Sequence, residues 1–402
     1  MFLGILAAAV GLLWLPLADF VNISNGISID LFMRLVSFFQ GLPGAVIYVP
    51  TLPLILGVLW YTGLIFTSRF VAVGCSTDLR DRHKGLVAVG LATSVALLII
   101  WPWGGGNKLI VHFLDTGQGD SILIQTPGGR TMLIDTGGWR GEYQTGEGAG
   151  EQVVTPYLRR IGVRHLDVLA LTHPHEDHCG GAAAVYKNFP VGLALVPQVD
   201  HKIYDSDTAA IEATDVNQGE NPFSEEEIPV AYTSLLNKMI RSDTFVRTAG
   251  AGDTLKLDHE VSLEVLSPPE ITRGYDSFLN NRSLVLKLTY RHKSFIFTGD
   301  MEIEAQAHLL QRETDLEADI LKVPHHGSRF LLPELVTQVK PEIAVITVGA
   351  HNNFGHPAQT TLDLLYSNGA KVFRTDQNGA VIIKTDGLNL ETQTGRKASS
   401  AL

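Results

Sequence analysis

Two kinds of hydrophobic patterning divide this chain of 402 residues. Up to about residue 104 the apolar residues fall in long runs: MFLGILAAAVGLLWLPL (1–17), LPLILGVLWYTGLIFTS (52–68) and VAVGLATSVALLIIWPW (87–103) contain no Asp, Glu, Lys or Arg. Each is near the roughly 17 to 25 residues that cross a bilayer, and Trp14, Trp60, Trp101 and Trp103 sit where interfacial aromatics belong. Between the first two runs, SIDLFMRLVSFF (28–39) is amphipathic and predicts a helix lying along the interface. Beyond residue 105 the apolar runs shorten and alternate with turns. They predict strands over 108–115, 120–126, 131–136, 166–172, 284–291, 294–299, 343–348, 371–375 and 380–385, with a helix near 151–161. The expected architecture is an α/β sandwich of αββα type over 105–390, preceded by an N-terminal α-helical transmembrane region (1–104) and followed by a disordered tail (391–402).

Loop charge orients the membrane region. Arg69, Arg80, Arg82 and Lys84 separate the second and third runs, whereas Arg34 is the sole basic residue between the first and second. Lys and Arg favour the cytoplasmic side, so the third span carries the sandwich out of the cytoplasm, through the hinge Gly104-Gly105-Gly106. Residues 200–227 hold nine acidic residues against Lys202 alone and predict an exposed, partly disordered insertion.

The segment His173-Pro174-His175-Glu176-Asp177-His178 follows the apolar run LDVLALT. Two histidines two apart in extended chain project to one side and chelate one ion, while Asp177 and His178 open a helix and face a second. Asp300 ends the run FIFTG, where a carboxylate can bridge two cations. His325 and His326 follow ILKVP, and one of them completes the second site. His356 lies between Gly355 and Pro357 after IAVITV, placed to bind phosphate or protonate a leaving group. The turns Gly117-Gln118-Gly119 and Gly137-Gly138 bring backbone close to the site floor, with Asp120 and Asp135 available to hydrogen-bond metal-bound imidazoles.

His-x-His-x-Asp-His after a strand resembles the metallo-β-lactamase fold hydrolases. FLDTGQGDSILIQTPGGRTMLIDTGG (113–138), NNRSLVLKL (280–288), FIFTGD (295–300), LKVPHHGS (321–328) and NNFGHP (352–357) are similar, in order, to motifs of the ComEC family of bacterial DNA-uptake proteins. The resemblance spans most of residues 105–385. It implies two divalent ions, zinc or manganese, held by His173, His175, Asp177, His178, Asp300 as the bridge, and His326. It places His325, Ser328, Asp120, Asp135 and Asn281 beside them or beside substrate. The superfamily's isolated ligand histidine has no counterpart in His201, His259 or His292, leaving Asn281 or water for that position.

The resemblance further implies a multi-pass protein of the cell (inner) membrane, working beside a channel or competence subunit. The implied reaction is metal-dependent phosphodiester cleavage of DNA, with single-stranded DNA as the implied substrate, Asp177 or hydroxide bridging the metals managing the proton, and His356 assisting the leaving group. Two other readings stay open: hydrolysis of a different phosphoester, and a non-catalytic translocation subunit. The net charge of −11 argues against a broad basic DNA-binding face, so phosphate affinity falls to metal and to local cations such as Arg282, Lys322 and Arg329. Cys75 and Cys179 lie in separate regions and imply no disulfide framework, and Cys179 reads as a packed core residue.

Overall fold

The computed structural model describes residues 7–8, 10–40, 58, 61–62, 106–197, 228–242, 244–268, 278–312 and 314–396. Among the N-terminal residues, one continuous helix runs Leu15–Gln40, so the segment 28–39 extends a longer helix instead of forming a separate one. Ser24 and Ser28 return their hydroxyls to the carbonyls of Phe20 and Ser24, and Arg34 pairs with Asp30 one turn back. Both devices keep polar groups on the helix itself. Phe20, Ile23, Ile27, Leu31, Phe32 and Phe38 are exposed along it. No helix among the described residues is long and apolar enough to cross a membrane. The runs 52–68 and 87–103, apart from residues 58, 61 and 62, and the acidic insertion at 200–227 lie outside the described residues.

From residue 106 onward two sheets face each other. The strands are β1 (Leu109–Phe113), β2 (Ile122–Gln125), β3 (Thr131–Ile134), β4 (Leu166–Ala170), β5 (Val191–Pro197), β6 (Phe245–Ala249), β7 (Thr254–Asp258), β8 (Val261–Ser267), β9 (Val285–Tyr290), β10 (Lys293–Phe297), β11 (Ile320–Lys322), β12 (Ile343–Ile346), β13 (Lys371–Arg374), β14 (Val381–Thr385) and β15 (Leu390–Thr394). One sheet has the order β15-β14-β1-β2-β3-β4-β5-β6, the other β13-β12-β11-β10-β9-β8-β7.

Period-two alternation decides which side chains fill the middle. Leu109, Val111 and Phe113 of β1 meet Leu286, Leu288, Phe295 and Phe297 of the facing sheet in one buried core. The opposite faces are as apolar. Leu123, Leu133 and Leu169 pack under the helices Thr155–Arg160, Ala182–Asn188 and Val230–Ile240, while Ile296, Leu321 and Ile346 pack under Ile303–Gln311, Pro333–Val339 and Gln359–Ser367. Helices on both outer faces of paired sheets make the αββα sandwich.

The C-terminal boundary needs correction. Residues 390–394 form an edge strand paired with β14, and Arg396 bonds Asp115, so order extends past 391. Weak side-chain alternation in LETQT hid a strand held by main-chain bonds to its neighbour.

Candidate metal centre

Strand ends and the turns that follow them assemble the centre. β4 stops at Ala170, and Thr172 to His175 run out of its end before the short helix Glu176–Cys179. That segment lies against two glycine turns: a side chain at Gly119 (φ 136°) would collide with the Asp177 carbonyl, and one at Gly138 with the Glu176 carbonyl. Only glycine allows main chain this close. Backbone bonds from Asp120 to the Asp177 carbonyl (3.2 Å) and from Thr136 to the His178 carbonyl (2.7 Å) fix the approach. From the facing sheet, β10 ends just before Asp300. β11 leads into Pro324–Gly327, where His325 and His326 both take left-handed φ, 46° and 54°. Non-glycine residues adopt that region rarely and at functional sites disproportionately.

These elements bring one ligand atom each from Asp177, His178, Asp300 and His326 within 4.8 Å of one another, and likewise Asp120, Asp135 and His178. His326 Nε2 lies 3.3 Å from Asp177 Oδ2 and 3.2 Å from Asp300 Oδ2, and His178 Nε2 lies 3.2 Å from Asp300 Oδ1. The His173 ring sits 4.1 Å from His178 and 4.8 Å from His175, centroid to centroid. His325 and His356 stand to one side, 5.5 Å apart.

Hydrogen bonding fixes which nitrogen of each ring faces inward. His178 donates through Nδ1 to Asp135 Oδ2 (2.8 Å), and His326 donates through Nδ1 to the Thr347 carbonyl (2.8 Å). Thr172 Oγ1 donates to Asp135 Oδ2 (2.6 Å) and so accepts from His173 Nδ1 (3.1 Å). Asp135 thus orients two imidazoles, one directly and one through Thr172. All three rings point Nε2 into the centre, and the buried Nε2 atoms of His173 and His178 and Oδ1 of Asp300 make no hydrogen bond. Buried polar atoms without partners are rare. Imidazole nitrogens and carboxylate oxygens converging in this way fit a borderline divalent ion such as zinc or manganese.

Electrostatics give the same answer. Burial alone would lower His326 and His178, but Asp300 and its neighbours raise both, His326 to about 10. Burial alone would raise Asp177 and Asp300, yet the imidazoles hold both below the usual carboxylate range. The carboxylates demand positive charge at these two Nε2 atoms, whether as a proton or as a metal ion.

Several residues stand elsewhere than the sequence suggested. Asn281 caps the helix Ile303–Gln311: its carbonyl accepts from the backbone of Glu302 (3.1 Å) and Ala305 (3.2 Å), and its amide donates to Glu304. Ser283, not Asn281, touches His173 Nδ1 (3.3 Å) and also accepts from the Asp300 backbone (3.2 Å). Asp120 lies 3.5 Å from His326 Nδ1 and 3.8 Å from His178 Nδ1, close enough for charge attraction, while its side chain accepts from the Thr347 hydroxyl and its shortest ion pair is with the ammonium of Lys322. Lys322 is fully buried, 3.5 Å from Asp300 Oδ1, and donates to the Gly299 carbonyl (2.9 Å). It is therefore a counter-ion inside the centre and no surface contact for phosphate. Arg282 is buried too, over the Phe278 ring, which leaves Arg329 as the exposed member of the three cations. Ser328 accepts from the Phe330 backbone, His325 Nδ1 approaches Glu302 (3.2 Å), and His356 is half-buried and held down to about 4 by burial and by its histidine neighbours. Cys179 donates its thiol to the His173 carbonyl from the core. His259 and His292 are exposed.

Comparisons with known proteins agree with this geometry. The profile of the Metallo-beta-lactamase superfamily matches residues 114–351. ComE operon protein 3 of Bacillus subtilis is 31% identical over 79% of the chain, Recombination protein 2 of Haemophilus influenzae 29% over 71%, and Competence protein ComA of Neisseria gonorrhoeae 28% over 79%. The chain spans 38%, 30% and 41% of those relatives' own lengths.

Proposed function

The chain belongs to the metallo-beta-lactamase superfamily and, within it, to the ComEC family of competence proteins, and from that premise we propose a membrane-anchored phosphodiesterase that degrades DNA outside the cytoplasmic membrane during uptake. The observation that carries it is the convergence of Asp177, His178, Asp300 and His326, backed by the buried Nε2 atoms of His173 and His178 that make no hydrogen bond. Two divalent ions, zinc or manganese, would be held by Asp177, His178, Asp300 and His326 together with His173 and His175. Such ions supply Lewis acidity toward a phosphoryl oxygen and lower the pKa of water toward neutrality.

The chain's own residues do the rest. Asp135 and the Thr347 carbonyl hold His178 and His326 in the tautomer that leaves Nε2 free. Asp177, part exposed where the other donors are buried, receives a proton from attacking water. His356, whose ring lies 5.5 Å from that of His325 beside the centre, would hydrogen-bond the departing sugar oxygen. Lys322 offsets the charge of Asp120 and Asp300 so that they can share one volume. Membrane attachment is supported by the uncharged runs and by the apolar side chains exposed on Leu15–Gln40.

The test uses the full chain in detergent, loaded with manganese or zinc, on a single-stranded oligonucleotide and on bis(p-nitrophenyl) phosphate. Cleavage of the oligonucleotide, abolished in Asp300→Ala, is expected. Cleavage of the chromogenic ester alone would assign another phosphoester, and metal bound with neither substrate cut would assign a scaffold in translocation.

A further inference from the structure

The loop His351–His356 presents an aromatic ring in an unusual way. Phe354 is 70% exposed, while one of its faces lies parallel to the His356 imidazole, with 5.9 Å between centroids and 10° between planes. The loop is braced. Asn352 Oδ1 accepts from the backbone of Phe354 (3.2 Å) and His356 (3.1 Å), and Asn352 Nδ2 donates to the carbonyls of Gly349 (2.9 Å) and His356 (2.8 Å). The same loop is tied to the ligand turn, because Ala358 donates to the Gly327 carbonyl (2.8 Å) and Pro357 fills the space beside Gly327. A succession of rings follows from surface to interior: Phe354 on His356, His356 beside His325, His325 beside His326, and His326 beside His178.

An apolar ring held out to water by this many hydrogen bonds contributes nothing to the core. Its other face, turned away from His356 and the rings that lead to the metal centre, is open to a flat apolar ligand. The phosphodiesterase reading, on which this inference rests, supplies a poor electrostatic grip: the net charge is −11, and Arg282 and Lys322 are buried. Nucleic acid bound without a basic face draws on base stacking, which tolerates any sequence. We propose that Phe354 is a stacking platform for a base of single-stranded DNA, positioning the adjoining phosphodiester at the centre.

The test is fluorescence anisotropy with the manganese-loaded full chain, a fluorescein-labelled phosphorothioate dT oligonucleotide and its abasic counterpart. The protein is expected to bind the dT strand roughly 5- to 100-fold more tightly than the abasic one. Phe354→Ala should erase that preference, and Phe354→Trp should keep it, with metal content equal in all three. Undiminished preference in Phe354→Ala would overturn the platform while leaving the DNA reading intact. Failure of the unaltered protein to bind either strand would overturn both.

Discussion

Lys322 has a fully buried side chain, and its ammonium contacts Asp120 and the Gly299 carbonyl and lies 3.5 Å from Asp300. Breaking a buried ion pair from one side strands the other charge. Lys322→Met is therefore expected to lower the unfolding free energy of chelator-treated protein by about 3 to 5 kcal/mol, measured in urea. A change within about 1 kcal/mol would show that the contact stabilises little. This residue marks where sequence reading stops. The spacing of His173, His175, Asp177 and His178 speaks for metal because chain-local geometry forces those side chains together. Lys322 reads from sequence as one more cation near a motif, and only the strand pairing that places β11 beside β10 puts it inside the centre. Ser283 was missed for the same reason: a serine has no pattern of its own until β9 brings it to His173.

Among the elements, the helix Ile303–Gln311 shows how support and site were confused. Asn281 falls inside a motif, which suggests a ligand, yet its carbonyl caps that helix from a different segment. Loss of a side-chain cap costs about 0.5 to 2 kcal/mol. Asn281→Ala should show that loss in urea unfolding while the purified protein keeps its metal; lost metal at full stability would return Asn281 to the ligand set. The strands that were legible, β1 to β4 and β9 to β14, are short, mostly apolar runs bounded by turns. Strands β6 and β7, FVRTA and TLKLD, are largely exposed or half-buried along their length, and β15 depends on main-chain pairing, so hydropathy alone does not assign them.

At the scale of the molecule, each sheet contributes half of the centre: His173, His175, Asp177 and His178 follow β4 of one, and Asp300 and His326 follow β10 and β11 of the other. Anything that loosens the sandwich therefore also separates the ligands. His112 on β1 is such a point. It is buried between Tyr157 (2.9 Å) and Gln125 (3.1 Å), and burial holds its pKa down to about 4 from 6.5. The unfolded chain binds that proton more readily, so stability is full above pH 6.5 and declines as pH falls toward 4, by about 3 kcal/mol from this group. In His112→Phe that part of the pH dependence should vanish from urea unfolding between pH 6.5 and 4; an unchanged slope would assign it to other groups.

Metal content tests the central claim most directly. The purified 402-residue chain, dialysed against manganese or zinc and analysed by plasma mass spectrometry, should retain divalent metal in stoichiometric amount, and Asp300→Ala and His178→Ala should each lose most of it while remaining folded by circular dichroism. Equal metal in all three proteins, or none in the unaltered one, would contradict the assignment of these buried imidazoles and carboxylates to a metal centre.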